Sequence, residues 1–406
     1  MKAVYRPVRA KYEGGNSFSF ENTNRFRNSD YITIRWSLLK DACRIEEGSL
    51  KLNIEPRCSK SVEIDISTLT KENDYYIDFT YFDEQGYEIA SEQIVLNEVS
   101  NRIQAEDNKE ILCKNSDTRL LVEVGGVTIS FNKNTGAMDS YCIKGKEYLN
   151  TNPIAGKIGF VPNIFRALLD NDAKKKNSWL KLGLDKCSFV CRSFDFQQTD
   201  KGVFISVRTS GTLKGLRKHP IPCSLTYKIS KNGIVDVNAV LLPLKKADID
   251  KDLPRFGLMA ELSRNIENVE YYGLGECENL CDFKAHTKVG IYSTTVDKMH
   301  EPYIKPQDNG IRSNVRWVKL TDKDGKGIAI HSCGERFSFS VHHYTQKLLA
   351  NAKHQEDIRD ENTTALWVDA YYRGTGTGSC GPDTLTRYTF DASKELKLSF
   401  SIAPIE

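Results

Sequence analysis

The chain has 406 residues, with 57 basic and 54 acidic side chains and a formal net charge of +3. A single hydrophobic core rarely organises more than about 300 residues, so this length indicates at least two domains. Both signs of charge are spread along the whole chain, which argues against a nucleic-acid partner. No window approaches the roughly 18 apolar residues of a membrane span, so we expect no membrane partner.

The eleven cysteines are an odd number, and no two of them form a close-spaced CxxC pair. Reduced thiols are the simplest interpretation of this pattern. The opening residues, MKAVYRPVRAKYEGG, carry no apolar run behind their basic side chains and predict no export signal. We therefore expect a cytoplasmic protein.

The first block, residues 1–100, is predicted to be a small β-sandwich. It contains about seven runs in which apolar and polar residues alternate, with turns roughly every 8 to 12 residues. Tyr31–Trp36 and Tyr75–Tyr81 are examples. This density is typical of an immunoglobulin-like sandwich, although the cysteine–tryptophan–cysteine spacing of antibody domains is missing.

The polar run NEVSNRIQAEDNKEILCK predicts a linker over residues 101–114. Strand-like runs then continue from 115 to 406 and predict one large sandwich, with a second linker-like run at 245–253. Short helices are predicted at Ser178–Leu182 and Gln346–Ala352. Strands and helices do not alternate, so the pattern predicts an all-β fold instead of a barrel of strands and helices.

Two loops were considered as ligand sites. Asp170-Asn171-Asp172 offers carboxylates at alternating positions, as calcium sites do, but no full set of oxygen ligands follows, and a polar turn before a short helix is the favoured interpretation. Gly273-Leu-Gly275 lacks the third glycine and the strand–helix–strand context of a dinucleotide loop. We expect Glu278 and Asp282, which follow it, to pair with lysine or arginine.

The seven histidines show no metal-binding spacing. His342 and His343 are neighbours on a predicted strand, so their side chains should point to opposite faces and cannot share an ion. We therefore expect no metal site in this chain.

Residues 374–383, with the sequence GTGTGSCGPD, form a glycine-rich loop after a predicted strand that carries Trp367 and Asp369. Loops of this kind on rigid strands often build binding surfaces, and the alternative is a flexible connection. Cys380 has no histidine near it in sequence, so the spacing does not predict a nucleophile.

Several stretches resemble, in order and spacing, the C-terminal half of β-galactosidases of glycoside hydrolase family 2. They are VYRPV from Val4, PNIFRALLDND from Pro162, YYGLGECENLCDFK from Tyr271, PYIKPQDNGIRSNVRW from Pro302 and TTALWVDAYYRGTGTGSCGPDTL ending at Leu385. The resemblance covers nearly the whole chain. It implies an immunoglobulin-like domain over 1–100 and a β-supersandwich like those of galactose mutarotases over 115–406.

In that family the catalytic glutamates and the magnesium ligands lie in a (β/α)₈ barrel, so the resemblance implies no catalytic residue and no cofactor in this chain. The family's glycine-rich loop reaches the mouth of the barrel. Gly378, Ser379 and Cys380 would therefore form the leaving-group side of the sugar site, acting through shape and apolar contact.

One departure from the family is Tyr372, where a glutamine usually precedes the Arg-Gly pair. The turn Pro306–Gly310 is expected to shape an edge or an interface. Arg312 and Arg316 follow it and are expected on one face of a strand, paired with carboxylates of neighbouring strands or of the barrel.

Three functions remain open from the sequence. The first is a non-catalytic C-terminal region or small subunit, inactive alone, which completes a barrel-bearing partner that hydrolyses terminal β-galactosides with retention. The second is a stand-alone carbohydrate-binding or structural module. The third is a mutarotase-like epimerase, which would need a histidine and a carboxylate on one concave face. A homo-oligomer is a further expectation.

Overall fold

A computed structural model describes residues 2–100, 109–150, 159–213, 221–244 and 252–406. The chain divides into two compact units. The first unit comprises Met1–Ser100, Leu274–Glu276 and Lys284–Ile291, and the second comprises Asn101–Gly273, Cys277–Phe283 and Tyr292–Glu406. Within the described ranges, no helix is long and apolar enough to cross a membrane.

The first unit is a two-sheet sandwich. Its strands are β1 (Val8–Gly14), β2 (Ser17–Asn22), β3 (Thr33–Lys40), β4 (Cys43–Lys51), β5 (Ser59–Glu63), β6 (Tyr75–Phe82) and β7 (Glu88–Asn97). They form a three-stranded sheet in the order β1-β2-β5 and a four-stranded sheet in the order β4-β3-β6-β7. This is the immunoglobulin-like sandwich that the alternating pattern predicted. The strand β4 belongs to the second of its two sheets.

Alternation places the aromatic residues of this sandwich inside. Phe18 and Phe20 are two positions apart on β2, so both face the core, and each meets Phe79 of β6 edge to face at 5.7 and 5.2 Å between ring centroids. All three rings are fully buried.

The remaining strands belong to the second unit, except that the end of strand 19 (from Leu274) and the start of strand 20 (to Ile291) are assigned to the first unit. In chain order they are β8 (Ile111–Asn115), β9 (Arg119–Val124), β10 (Val127–Asn132), β11 (Ala137–Ile143), β12 (Lys146–Glu147), β13 (Val161–Asn163), β14 (Ser188–Thr199), β15 (Gly202–Thr212), β16 (Ile221–Ile229), β17 (Val235–Leu241), β18 (Arg255–Leu262), β19 (Asn268–Gly275), β20 (Lys288–Thr295), β21 (Arg312–Val315), β22 (Trp317–Thr321), β23 (Gly327–Ser332), β24 (Phe337–His342), β25 (Thr364–Tyr372) and β26 (Leu396–Ile405).

Helices are short and few among the described residues. The α-helices are α1 (Lys176–Leu182) and α2 (Gln346–Asn351), where the sequence predicted helices. The 3-10 segments are Ser29–Tyr31, Asp170–Lys174, Leu184–Lys186, Asp297–Met299, Gln355–Asp357 and Thr386–Tyr388.

Large antiparallel sheets enclose the core of the second unit. One sheet has the order β14-β15-β16-β17-β26-β23-β22-β19-β20, a second β13-β18-β25-β24-β21 and a third β12-β11-β10-β9-β8. One continuous cluster of buried side chains draws on all three sheets, for example through Val122, Val207 and Leu258. The predicted all-β supersandwich is confirmed.

Residues 101–108 of the predicted linker (101–114) lie outside the described residues. Its last part is a strand, because Ile111–Asn115 forms β8 and pairs with β9. Ile111 is buried in the large core, so the apolar residues that end the polar run belong to the sandwich. The second linker-like run, 245–253, lies outside the described residues at 245–251.

Candidate functional site

The glycine-rich loop leaves the end of β25 and turns at its tip. The backbone N–H groups of Cys380 and Gly381 donate to the carbonyl oxygen of Thr377 at 3.2 and 2.6 Å, which closes the turn. Ser379 and Cys380 are exposed at this tip, whereas Gly378 beneath them is buried. The thiol of Cys380 is free.

The glycines of the loop are required by close packing. A Cβ atom at Gly378 would lie 2.4 Å from the carbonyl oxygen of Asn171. Gly376 has a φ of +62°, and a Cβ there would lie 2.6 Å from the hydroxyl of Thr384. The glycines therefore let the loop pack closely against its neighbours, which favours an ordered loop over the flexible connection that composition also allowed.

Arg373 anchors the base of the loop. Its buried guanidinium donates to Asp252 at 2.6 Å, to Asp383 at 2.8 Å and to the hydroxyl of Thr384 at 2.7 Å. It also lies over the ring of Trp179, 5.6 Å from the ring centroid. Both ends of the loop are therefore held by one side chain.

Two polar side chains hold the main chain of the loop. Asn171 donates to the carbonyl oxygen of Gly376 at 3.0 Å, and its own amide oxygen accepts from the N–H and hydroxyl of Ser379 at 3.2 and 2.7 Å. The carboxylate of Asp282 accepts from the N–H groups of Thr375 and Gly376 at 2.8 and 2.7 Å. Asp282, expected to pair with lysine or arginine, instead binds backbone.

A buried ion pair fixes the segment that carries Asn171. Arg166 donates to Asp172 at 2.8 Å with both side chains fully buried, and it also donates to the carbonyl oxygen of Arg373 at 3.0 Å. Asp172 accepts from the N–H of Leu169 at 2.9 Å as well, at the start of the 3-10 segment Asp170–Lys174. The carboxylate is thus part of a polar turn, as favoured by the sequence.

A second buried ion pair joins β18 to β25. Arg255 of β18 donates to Asp369 of β25 at 2.9 to 3.0 Å and lies 3.4 Å from Asp308. Burial raises the pKa of the Asp369 carboxyl to about 7, against the opposing effect of Arg255. A proton can therefore be held on this carboxyl near neutral pH.

Tyr372 connects the two buried pairs. Its ring lies 4.5 Å from the guanidinium of Arg166 and 5.0 Å from that of Arg255. Burial raises the pKa of its phenol, which donates to Asp308 at 2.7 Å. Tyr372, which departs from the pattern that the resemblance implies, is thus buried between two cations.

The turn Pro306–Gly310 is largely buried, which argues against an exposed edge, and the expectation that it shapes an interface stays a prediction. Asp308 and Asn309 are 6% and 1% exposed. Glu278 accepts from the N–H of Gly310 and from the hydroxyl of Tyr303 at 2.5 Å, and burial raises the pKa of its carboxyl. The polar turn residues are interior because buried partners satisfy each of them.

The two arginines after the turn contact tyrosines. Arg312 is buried and donates to the hydroxyl of Tyr271 at 3.2 Å, with no carboxylate partner among the described residues. Arg316 lies over the ring of Tyr272 at 4.8 Å and donates to a backbone carbonyl. Arg312 therefore has no carboxylate partner on a neighbouring strand among the described residues, and a carboxylate partner on the barrel stays a prediction.

His342 and His343 contact different groups, as expected for neighbours along a strand. The Nε2–H of His342 donates to the carbonyl oxygen of Asn309 at 3.0 Å, and its ring stacks on Tyr344. Burial lowers the pKa of His342 to about 3, so this imidazole is neutral.

Family models match both units. The model of the β-galactosidase small chain matches residues 123–402, which is more than half of the chain, and that of β-galactosidase domain 4 matches residues 18–97. The chain belongs to the β-galactosidase small-chain family. Four of the five stretches noted in the sequence lie within the range 123–402.

Curated relatives of this small-chain protein include two bacterial β-galactosidases. The enzyme of Actinobacillus pleuropneumoniae is 28% identical over 99% of this chain, and that of Staphylococcus xylosus is 29% identical over 79%. The chain spans only 39% and 31% of their lengths. Among solved structures, a galactose 1-epimerase from Lactobacillus acidophilus NCFM is 9% identical, with a TM-score of 0.36 over 73% of this chain and 98% of that chain, a likeness too weak to support an argument.

Sequence reasoning found the loop of this small-chain protein but missed the residues that hold it. Asn171 and Ser379 are 208 positions apart, and no local spacing could join them. The only sequence signal was that the stretches carrying Asn171, Asp282 and Arg373 are all motifs of the family.

Proposed function

We propose that this chain supplies one wall of a β-galactosidase active site, as the small subunit or C-terminal region that completes a catalytic barrel. The observation that supports this most is the fixed loop of a small-chain member, which exposes Ser379 and Cys380 on a main chain held from both sides. Rigid placement of a surface is what a shared substrate site requires.

In this proposal the chemistry belongs to the partner. Retaining hydrolysis of a terminal β-galactoside uses two carboxylates, one as nucleophile and one as acid and base, and the proposal places both in the barrel with its magnesium. Gly378, Ser379 and Cys380 would shape the leaving-group side. A cysteine thiol acts there as a small apolar group with a weak donor.

Reconstitution tests the proposal. The chain is mixed with a barrel-bearing large chain of the same family, and hydrolysis of nitrophenyl β-galactoside is measured for each chain alone and for the mixture. We expect activity in the mixture only. Hydrolysis by this chain alone would refute the assignment.

A substitution at Cys380 tests whether the loop lines the sugar site. Cys380→Leu should raise KM for the galactoside in the mixture by several-fold with a smaller change in kcat, because it alters the shape of the site and leaves the partner's carboxylates in place. Cys58→Leu, at another exposed cysteine, is the matched control and should change neither. Equal effects of both variants would contradict a role for the loop.

One cavity favours a second candidate, a carbohydrate-binding module. It has a volume of about 620 Å³ and lies on the nine-stranded sheet, where Phe204, Lys228, Asp236 and Asn238 line it. Phe204 is 39% exposed and offers a ring face for a sugar. Calorimetric titration with galactose or lactose separates the candidates, since a single wall should bind neither sugar measurably.

The epimerase hypothesis gains no support from this cavity. Such an enzyme would need a histidine and a carboxylate on one concave face, and no histidine is among the described residues that line it.

A further inference from the structure

A separate group of polar side chains lies in the second unit, at the surface end of β24. It consists of Glu267, Asp297 and His343, whose potential ligand atoms all lie within 4.8 Å of one another. Nε2 of His343 lies 3.6 Å from a carboxylate oxygen of Glu267 and 4.0 Å from one of Asp297.

The imidazole of His343 is fixed so that Nε2 presents a lone pair. The ring is 4% exposed, and Nδ1 lies 3.3 Å from the carbonyl oxygen of Thr363 and 3.1 Å from the hydroxyl of Thr364. A carbonyl only accepts, and the Thr364 hydroxyl donates to the carbonyl oxygen of Ile266, so Nδ1 carries the proton. Nε2 has no hydrogen-bond partner among the described residues.

This lone pair faces two carboxylates, which are also acceptors. Three acceptors that converge without a donor repel one another unless a cation or a proton lies between them. Glu267 uses its other oxygen to accept from Arg264 at 2.5 Å, so one oxygen remains directed at His343. A cation or a proton between Nε2 of His343 and the two carboxylates would relieve this repulsion.

We propose that Glu267, Asp297 and His343 bind a divalent transition-metal ion, with zinc as the ion that fits best. Tetrahedral zinc with nitrogen and oxygen ligands near 2.1 Å separates its ligand atoms by about 3.4 Å, close to the observed 3.6 and 4.0 Å. The side chain of Asp297 is 76% exposed and can make the movement that this geometry requires, which is about 0.6 Å toward His343.

The ligand chemistry selects the class of ion. Two carboxylates neutralise a divalent charge, and an imidazole favours zinc, cobalt or nickel over magnesium and calcium. A backbone carbonyl on the far nitrogen of a histidine is the usual outer support of such a ligand. Because Asp297 is exposed and Glu267 is half-buried, a water molecule can take the fourth position.

The ion would have a structural role, as a cross-link, and no catalytic role. It would join three segments that are distant in sequence, namely the connection between β18 and β19 that carries Glu267, the 3-10 segment that Asp297 begins, and the residue that follows β24. The sequence predicted no metal site because no short spacing links these residues.

Calorimetric titration with zinc chloride tests the proposal on the full chain after its accessible thiols have been alkylated. We expect binding of one ion per chain. Asp297→Ala should weaken binding at least tenfold, and His343→Gln should abolish it. Asp117→Ala removes an exposed carboxylate elsewhere and should leave binding unchanged.

Cobalt absorption identifies the ligands independently, because thiolate ligands give strong near-ultraviolet bands and nitrogen and oxygen ligands do not. We expect only weak visible bands that disappear in Asp297→Ala. Thiolate bands, unchanged affinity in Asp297→Ala, or no binding by the wild-type chain would overturn the proposal. The last result would mean that a proton on Nε2 takes the place of the ion. Asp297 is exposed, so its variant remains decisive if His343→Gln fails to fold.

Discussion

Replacing Arg373 by methionine should destabilise the second unit by about 3 kcal/mol. Removing one partner of a buried ion pair typically costs about 3–5 kcal/mol, because the remaining charge is left without compensation. Asp252 and Asp383 would both lose the guanidinium, keeping the Tyr371 hydroxyl and the Thr384 N–H as donors, and their side chains are 12% and 31% exposed. Water can reach these carboxylates in part, which places the expected cost at the lower end of that range.

Urea unfolding followed by tryptophan fluorescence measures this cost. Trp179 lies against Arg373 and reports on the second unit, and Trp36→Phe in every sample removes the tryptophan of the first unit. Arg387→Met, at an exposed arginine, is the matched control and should shift the midpoint little. A loss below about 1 kcal/mol for Arg373→Met would show that the buried pairs do not hold the loop.

Three further outcomes are expected. Burial raises the pKa of Asp369 to about 7, above its unfolded value near 3.9. The stability that this carboxyl contributes is therefore complete below about pH 4 and is lost as the pH rises to about 7. Asp369→Asn should flatten the pH dependence of the urea midpoint between these values, and an unchanged slope would contradict this. Gly378→Ala places a Cβ 2.4 Å from the carbonyl oxygen of Asn171, which should displace the loop. Reconstituted galactosidase activity should then fall roughly tenfold or more, with an unchanged circular dichroism spectrum. Full activity would show that the site tolerates displacement of the loop. Tyr303→Phe removes the phenol that donates to buried Glu278 and should cost about 1–3 kcal/mol in urea unfolding, whereas no loss would indicate that water replaces the phenol.

The parts of the fold that depend on local periodicity were predictable. Phe18 and Phe20 alternate with polar residues, and only one face of such a strand can be buried, so the sequence alone indicates a sandwich. The short helix near Gln346 was predictable for the same reason. Thr345 caps it by accepting from the N–H of Leu348 at 3.2 Å.

The buried polar groups were not predictable from local pattern. Asp308 lies in a turn of the kind that is usually exposed, yet it is interior because Tyr372 and Arg255, far away in the chain, supply its partners. The same holds for Glu267 and His343, whose approach depends on sheet register. Composition identified the glycine-rich loop and the resemblance to the family gave its expected role, but only coordinates show which atoms hold it.

The main chain of the loop at Ser379 and Cys380 is held by two side chains that lie outside the loop. Asn171 and Asp282 bind peptide groups, and the thiol of Cys380 takes no part in these contacts. The path of the loop is therefore independent of which side chain stands at position 380. The side chain at position 380 can therefore be exchanged while the contacts of Asn171 and Asp282 stay in place, and under the proposed function such an exchange would alter the shape of the leaving-group side of the sugar site.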